Sequence, residues 1–361
     1  GHGNQLEVGR LAERFDMEYR TAPVMIGVAP VGKRTLNNPV FSFGDHFSQI
    51  GPADSERAVR TALSWNCDAI VVAGIPFEAF PADLRKLLVE KVSAGAGLVW
   101  IGGDCDVPEL GLKLAGKPLM RALPAAVGEA FADVPFALLG EEQVYAFAEE
   151  GAKVHAACQD RAYLTERPLG KGRVFNLPYR AIADLGSMFI SGLTPDLRDF
   201  YPDRVAPSEP YCSLLAKTIL AAGGKTLPVR LGAAEVSADA AAVRVTSDVA
   251  GKVAFVWTVK NAFGETLASG TEKRDLAKGV STVRMERLGV KPFAGPLEFA
   301  LTVRTRKGVL AWGGWAFESA PGAAIADVKL DEPYHREGDE VKVTCLMSSV
   351  SGLPSSSLRL R

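Results

Sequence analysis

One stretch, Asp68–Glu109, restricts what this chain can fold into more than any other: DAIVVAGIPFEAFPADLRKLLVEKVSAGAGLVWIGGDCDVPE. Ala69–Ala73 and Gly97–Ile101 are short, almost wholly apolar runs, the pattern of strands covered on both faces. Between them Leu84, Leu87, Leu88 and Val92 recur at helical spacing, so one helix face packs on the sheet. Pro81 suits the first helical turn and Gly95 the position just past the last. A strand, a helix and a strand of this length predict a right-handed parallel crossover. Ligands of such sheets bind beyond the carboxyl ends of the strands, which draws attention to Gly102–Glu109.

The rest of the first half is read around that crossover. Val24–Ala29 predicts a first core strand, and Phe41–His46 an edge strand or a loop over the sheet. Asp54 or Ser55 can cap a helix whose Ala58, Val59, Ala62 and Leu63 face inward. Leu110–Ala115 reads as a short helix, and Val134–Leu139 and Val144–Ala148 as brief strands. Lys153–Ala157, Tyr163–Glu166 and Arg173–Leu177 read as successive strands, with Lys171-Gly172 as a turn. Ile182–Pro210 is too irregular for one element. Tyr211–Ala222 is an amphipathic helix stopped by Gly223-Gly224.

Near residue 225 the grammar changes. Val253, Phe255, Trp257 and Val259 alternate with their neighbours, as do Leu297, Phe299, Leu301 and Val303, and Asn261–Gly264 has the composition of a hairpin turn. Short strands with no helix between them predict an all-β sandwich. From Gly322 a further alternation sets in at Val341, Val343, Cys345 and Met347, in about 40 residues, too few for a sandwich of its own. The expected fold class is therefore multidomain, α/β plus all-β. A flavodoxin-like parallel sheet occupies residues 1–225, a sandwich 226–320, and the start of a further β domain 321–361, the chain continuing into a larger protein.

Composition narrows the function classes. A formal charge of −1, without a run of Lys or Arg, gives no sign of nucleic-acid binding. No apolar run approaches the roughly 20 residues of a membrane span. No secretory leader is recognisable, and Gly1-His2-Gly3 reads as a tag remnant. The five cysteines (67, 105, 158, 212, 345) are scattered without metal-type spacing and suit buried small hydrophobes better than a disulfide framework. No cofactor is expected, and composition leaves the compartment undecided.

The residues quoted above, together with GKGRVFNLPYR and YCSLLAKTILAAGGK, carry a resemblance covering roughly residues 20–225. The segment Asp68–Gly103 resembles the class I glutamine-amidotransferase-like domain. More closely, it resembles the non-enzymatic form used as the middle, trimerisation-type module of some bacterial beta-galactosidases. The sandwich that follows looks immunoglobulin-like, a label that says little about function. In the enzymes of the family a nucleophilic Cys sits on a glycine-flanked turn, and a His and a Glu separated by one residue follow a late strand. Cys105 lies near the first position, but Gly103-Asp104-Cys105-Asp106-Val107 lacks the glycine after the nucleophile. Pro178-Tyr179-Arg180 stands where the His and Glu would be. A thiol needs a base or a positive neighbour to ionise at neutral pH, and Asp104 and Asp106 oppose it by like-charge repulsion.

The resemblance thus implies a non-catalytic accessory or scaffold region of a bacterial, exported, carbohydrate-processing protein. Its partners would be other domains of a longer chain, further copies held through the α/β domain, or carbohydrate. Two other readings use the same crevice. Cys105 with His46 as base, or a hard cation on Asp104, Asp106 and Glu109, would make it a hydrolase. Asp45, His46 and Asp104 could instead hold a sugar or another small ligand. Against these stand ordinary roles: a loop cysteine, helix-capping acids and a hydrogen-bonded structural histidine. Trp257, Trp312 and Trp315 could offer a sugar-stacking surface, but two of them lie in strand-like runs, which favours core packing. Gly102-Gly103 lacks the rest of a phosphate-binding motif. His155 and His335 have no sequence-local partner.

Overall fold

The computed structural model describes residues 11, 17–22, 27–28, 34–35, 52–73, 77–102, 106–122, 124–139, 142–148, 150–179, 208–261, 264–291, 293, 295–319, 323–330 and 342–349. The chain divides into two compact units, Gly1–Ala233 and Ala234–Arg361. Among the described residues no helix is long and apolar enough to cross a membrane.

In the first unit, β1 (Gly27–Val28) pairs antiparallel with β2 (Arg34–Thr35) in a two-stranded sheet of its own. The described part of the expected first core strand therefore lies outside the main sheet. Helix α1 (Pro52–Ser64) begins ahead of Asp54, which sits in its first turn rather than capping it. It buries Val59 and Leu63. The crossover follows as β3 (Ala69–Ala73), α2 (Ala82–Ala94) and β4 (Gly97–Ile101), with the two strands parallel and Ala69 opposite Gly97. Pro81 precedes the helix in extended conformation, and Gly95 ends it at φ 133°. Leu84, Leu88 and Val92 are buried, Leu87 partly so.

After β4 the chain forms β5 (Leu119–Ala122), β6 (Ala125–Ala126), β7 (Glu142–Val144), β8 (Lys153–Cys158), β9 (Arg161–Leu169) and β10 (Gly172–Leu177). Three expectations fail in this region. Val144–Ala148 is not a strand: β7 ends at Val144, and beyond it only Phe147 makes an isolated bridge, to Leu114. Leu110–Ala115 is no helix: a single 3-10 turn at Pro108–Leu110 gives way to bridges at Leu112 and Leu114. Val134–Leu139 is no strand, but a turn leading into a 3-10 helix at Phe136–Leu138, because Pro135 cannot donate to a ladder.

The main sheet runs β3-β4-β10-β9-β8-β6. Only β3, β4 and β10 are parallel; β9, β8 and β6 are added antiparallel. The expected parallel sheet is thus mixed. Gly170 at φ 62° and Lys171 turn the chain from β9 directly into β10, and so tight a connection can only join antiparallel neighbours.

Helices cover both faces. Arg173 lies in register with Gly97, so Gly172 faces the opposite side of the sheet from Gly97. A Cβ on Gly172 would fall 2.1 Å from the Val92 carbonyl oxygen of α2. A Cβ on Gly97 would fall 2.1 Å from the carbonyl oxygen of Ala222, the last residue of α3 (Ser208–Ala222). On the α2 face Leu98, Trp100 and Val174 join Val59, Leu63, Leu84, Leu88 and Val92 in one apolar core. Val99, Ile101 and Phe175 are buried on the other face, where α3 packs.

In the second part of the chain, β11 (Val229–Val236), β12 (Ala240–Ser247) and β15 (Gly279–Glu286) form a three-stranded sheet. β13 (Gly251–Asn261), β14 (Thr266–Leu276), β16 (Pro296–Arg304) and β17 (Val309–Glu318) form a four-stranded sheet in the order β14-β13-β16-β17. The alternation is met in full: Val253, Phe255, Trp257, Val259, Leu297, Phe299, Leu301 and Val303 are all buried. Asn261 closes the β13–β14 hairpin, its Oδ1 accepting the Glu265 N–H at 3.0 Å and its carbonyl the Gly264 N–H at 2.9 Å. The edge strand β14 carries Glu272, Lys273, Arg274 and Asp275, the kind of charge that discourages edge-to-edge association. Arg274 also donates to the Arg284 carbonyl of β15, tying the two sheets at their margin. β18 (Ala323–Leu330) and β19 (Val343–Ser349) form an antiparallel pair by themselves.

Two substitutions test this packing. Gly97→Ala is expected to cost about 1–3 kcal/mol in urea unfolding of the first unit, the usual range for overpacking; an unchanged midpoint would show that α3 does not approach the sheet so closely. Gly270 lies opposite Trp257, and a Cβ there would meet the indole at 2.4 Å. Gly270→Val should therefore destabilise the sandwich by a similar margin, and a neutral result in thermal unfolding would contradict that contact.

Candidate functional site

The parallel strands end at Ala73, Ile101 and Leu177, and the loops beyond these ends are where sequence reasoning placed the chemistry. Asp45, His46, Asp104 and Cys105 lie outside the described residues. Asp106 and Glu109 are described, and both are exposed. Asp106 Oδ1 accepts the Leu114 N–H at 2.7 Å, and Glu109 stands in the first turn of the 3-10 helix. Among the described residues no three His, Cys, Asp or Glu side chains gather as a metal would need.

The loop carrying these acids is folded down onto the sheet. Val107 and Leu112 exchange backbone hydrogen bonds at 2.8 and 3.1 Å, which draws Val107, Leu110 and Leu112 into the same buried core as Phe77 and Trp100. The loop's apolar side chains are buried in that core while Asp106 and Glu109 are exposed. Within that core the Trp100 Nε1 donor and the Asn176 Oδ1 acceptor sit on directly opposed residues, each 1% exposed, and neither has a partner.

The position after β10 is equally closed. Tyr179, where the resembled family would carry its base, is fully buried; its ring lies 6.0 Å from that of Tyr163 and 6.2 Å from that of Tyr211. The backbone there is tied down as well: the Tyr145 N–H donates to the Pro178 carbonyl at 2.8 Å, and Val144 bridges Tyr179.

Two polar groupings escaped sequence reasoning. His155, 4% exposed, occupies a β-bulge where the register of β8 against β9 shifts between Val154 and Ala156. Its Nε2 is 2.9 Å from Glu166 Oε2, while Arg173 Nη1 donates to Glu166 Oε1 at 3.3 Å. The imidazole stacks on Phe175 at 5.7 Å and meets the edge of Phe131 at 5.1 Å. The three polar residues come from three strands, so only the register brings them together. The second grouping is Lys217 of α3 with Asp133, an ion pair whose side chains are 11% and 6% exposed. Desolvation pushes the Asp133 carboxyl up from its ordinary value, against the pull of the Lys217 ammonium.

The remaining candidates are structural. Burial pushes the Cys67 thiol up, with Lys91 acting the other way, which leaves it a poor nucleophile. Cys158 and Cys212 are buried. Trp257 and Trp315, each 7% exposed, flank Phe299 at 6.3 and 6.0 Å and belong to the sandwich core rather than to a sugar-stacking face.

No protein-family model matches the chain, and no curated protein matches it in sequence. Among solved structures, a cytoplasmic protein of Salmonella typhimurium LT2 overlaps 45% of this chain and 74% of its own, at 17% identity and a TM-score of 0.29. The beta-galactosidase of Rahnella sp. R3 overlaps 65% of this chain and 37% of its own, at 12% identity and a TM-score of 0.27. For the exo-beta-1,4-mannosidase of Opitutaceae bacterium strain TAV5 the shares are 51% and 34%, at 14% identity and a TM-score of 0.31. The chain thus spans little more than a third of either glycosidase. Likenesses at these scores assign it no activity.

The Asp133–Lys217 pair yields a prediction with a sign. Lys217→Met alone strands a buried carboxylate and should cost about 3–5 kcal/mol, whereas Asp133→Leu with Lys217→Met should recover most of that loss. Because the folded-state pKa of Asp133 is raised, protonation favours the folded form. Wild type should therefore gain stability relative to Asp133→Asn as pH falls from neutrality toward 3.8. Denaturant unfolding across that range checks it; a difference that moves the opposite way would mean the pair stabilises the charged carboxylate.

Proposed function

We propose that this chain is a non-catalytic accessory region of a bacterial multidomain protein that processes carbohydrate, organising assembly or substrate access. The observation that carries the reading is Tyr179. The position that would need an imidazole for amidotransfer holds a tyrosine enclosed by other tyrosines. The burial of Val107, Leu110 and Leu112 in the apolar core supports the same reading, since these loop side chains are committed to packing. The Asp106 oxygen already engaged by a backbone N–H argues in the same direction.

The carbohydrate context, the bacterial source and an extracytoplasmic location come from the sequence resemblance and are part of this proposal. So is the finer fold assignment: an amidotransferase-like, flavodoxin-like domain over 1–225, an immunoglobulin-like sandwich over 226–320, and the start of a further β domain over 321–361. The parallel β3-β4-β10 core with helices on both faces supports the first of these, and the division into three- and four-stranded sheets supports the second. Association of copies through the α/β unit would serve the assembly role.

The expected outcome is an isolated chain without measurable turnover of glutamine, aryl esters or aryl glycosides, and no difference between wild type and Cys105→Ala in those assays. Turnover abolished by Cys105→Ala would replace this reading with a cysteine hydrolase at Asp104-Cys105-Asp106.

A further inference from the structure

Beside α1 the first unit has a groove that the accessory reading leaves unused. Its volume of about 370 Å³ lies at the small end of the range for ligand pockets. Arg20 and Thr21 line one side, and α1 lines the other. On the helix, Ala58 and Ala62 are half-buried and small, while Asp54, Arg57 and Thr61 stand exposed around them at helical spacing. Larger side chains at the two alanines would fill the space.

The two arginines are held differently, and both keep donors free. Arg20 lies over the indole of Trp65, its guanidinium carbon 4.7 Å from the ring centroid. A single cation–π contact leaves most of the five guanidinium N–H donors available. Arg57 is 3.3 Å from Asp54, one helical turn back, with its side chain 75% exposed. A guanidinium has five N–H donors, so one contact at this distance leaves most of them unused.

We propose that this groove binds a monosaccharide bearing a carboxylate, the class of the hexuronic acids. Two guanidinium groups suit a planar carboxylate, which accepts paired N–H bonds in the geometry that a guanidinium offers. The Thr21 and Thr61 hydroxyls can bond ring hydroxyls, and the Asp54 carboxylate accepts from them. Asp54 also opposes a phosphate dianion, so the groove selects one negative charge accompanied by hydroxyl donors. The sugar half of this assignment rests on the carbohydrate-processing reading; the carboxylate half rests on the arginines alone.

The test is titration of the whole chain with D-glucuronate, D-glucose and inorganic phosphate, followed by tryptophan fluorescence and by calorimetry. Saturable binding of glucuronate is expected, at least about tenfold tighter than glucose or phosphate and weakened about tenfold or more by Arg57→Ala, the loss of one charge-assisted contact. Arg57 is a surface residue, so this variant keeps the fold. Arg20→Ala should act likewise, with its circular dichroism and melting temperature compared with wild type to exclude unfolding. Absence of saturable glucuronate binding, equal binding of glucose or phosphate, or binding unaffected by Arg57→Ala would each overturn the proposal. The same samples are assayed for hydrolysis of aryl glucosides and glucuronides. Turnover would sink the accessory reading whatever the groove binds, whereas loss of binding without turnover would sink the groove alone.

Discussion

Everything in the first unit depends on how closely two helices approach one sheet. Gly97 and Gly172 face opposite sides, and each stands where a methyl group would collide with helix backbone. These contacts bring α2 and α3 down onto β4 and β10 and exclude water from both faces. Close-packed interiors lose dispersion energy quickly when layers separate, so approach at backbone distance is worth more than the missing side chains would supply. The all-apolar β4, with every residue buried, is the consequence in sequence. A strand in this position can carry polar groups only where partners are built in. The lone donor of Trp100 beside the lone acceptor of Asn176 is the exception among the described residues of that core.

The crossover was legible because its signals agree. Short apolar runs, a helical repeat and a glycine stop all point to β3, α2 and β4, and the structure returns those elements with the same strand bounds. The sandwich was legible for the same reason, since alternation at Val253–Val259 and Leu297–Val303 has no competing helical reading. Legibility failed where the chain is held by tertiary contacts alone. Leu110–Ala115 is too short for its period to be decisive: Leu110, Leu112 and Leu114 alternate as in a strand, and Val107 and Leu112 bond to each other instead of opening a helix. The antiparallel half of the main sheet was read as strands but not as antiparallel, because the hairpin at Gly170 settles direction through a turn whose significance depends on its neighbours.

The candidate site divides in the same way. Asp106 and Glu109 were visible as acids in a promising loop, yet their role depends on which way that loop closes, and sequence does not state it. Nothing near His155 in sequence can partner it. Its partners, Glu166 and Arg173, arrive from β9 and β10, and a bulge in β8 sets the histidine within reach. The available signal was a titratable residue inside a strand of small and apolar neighbours, KVHAAC, a setting that requires a cross-strand partner if the strand is buried. Asp133 and Lys217 carried no comparable hint, being 84 residues apart in sequence.

These polar groupings share a property that bears on function. Each is internally matched: the imidazole faces a carboxylate that also holds a guanidinium, and the buried carboxylate faces an ammonium. A catalytic constellation usually leaves one member short of a partner until substrate arrives, because only interactions completed in the transition state accelerate a reaction. Groups already satisfied in the resting protein contribute to uniqueness of the fold instead, at a desolvation cost that the pairing offsets. Tyr179 belongs to the same logic at the one position where the resembled enzymes keep a base. The space is filled, the backbone at Pro178 and Tyr179 is bonded, and the residue adds aromatic packing instead of a proton acceptor.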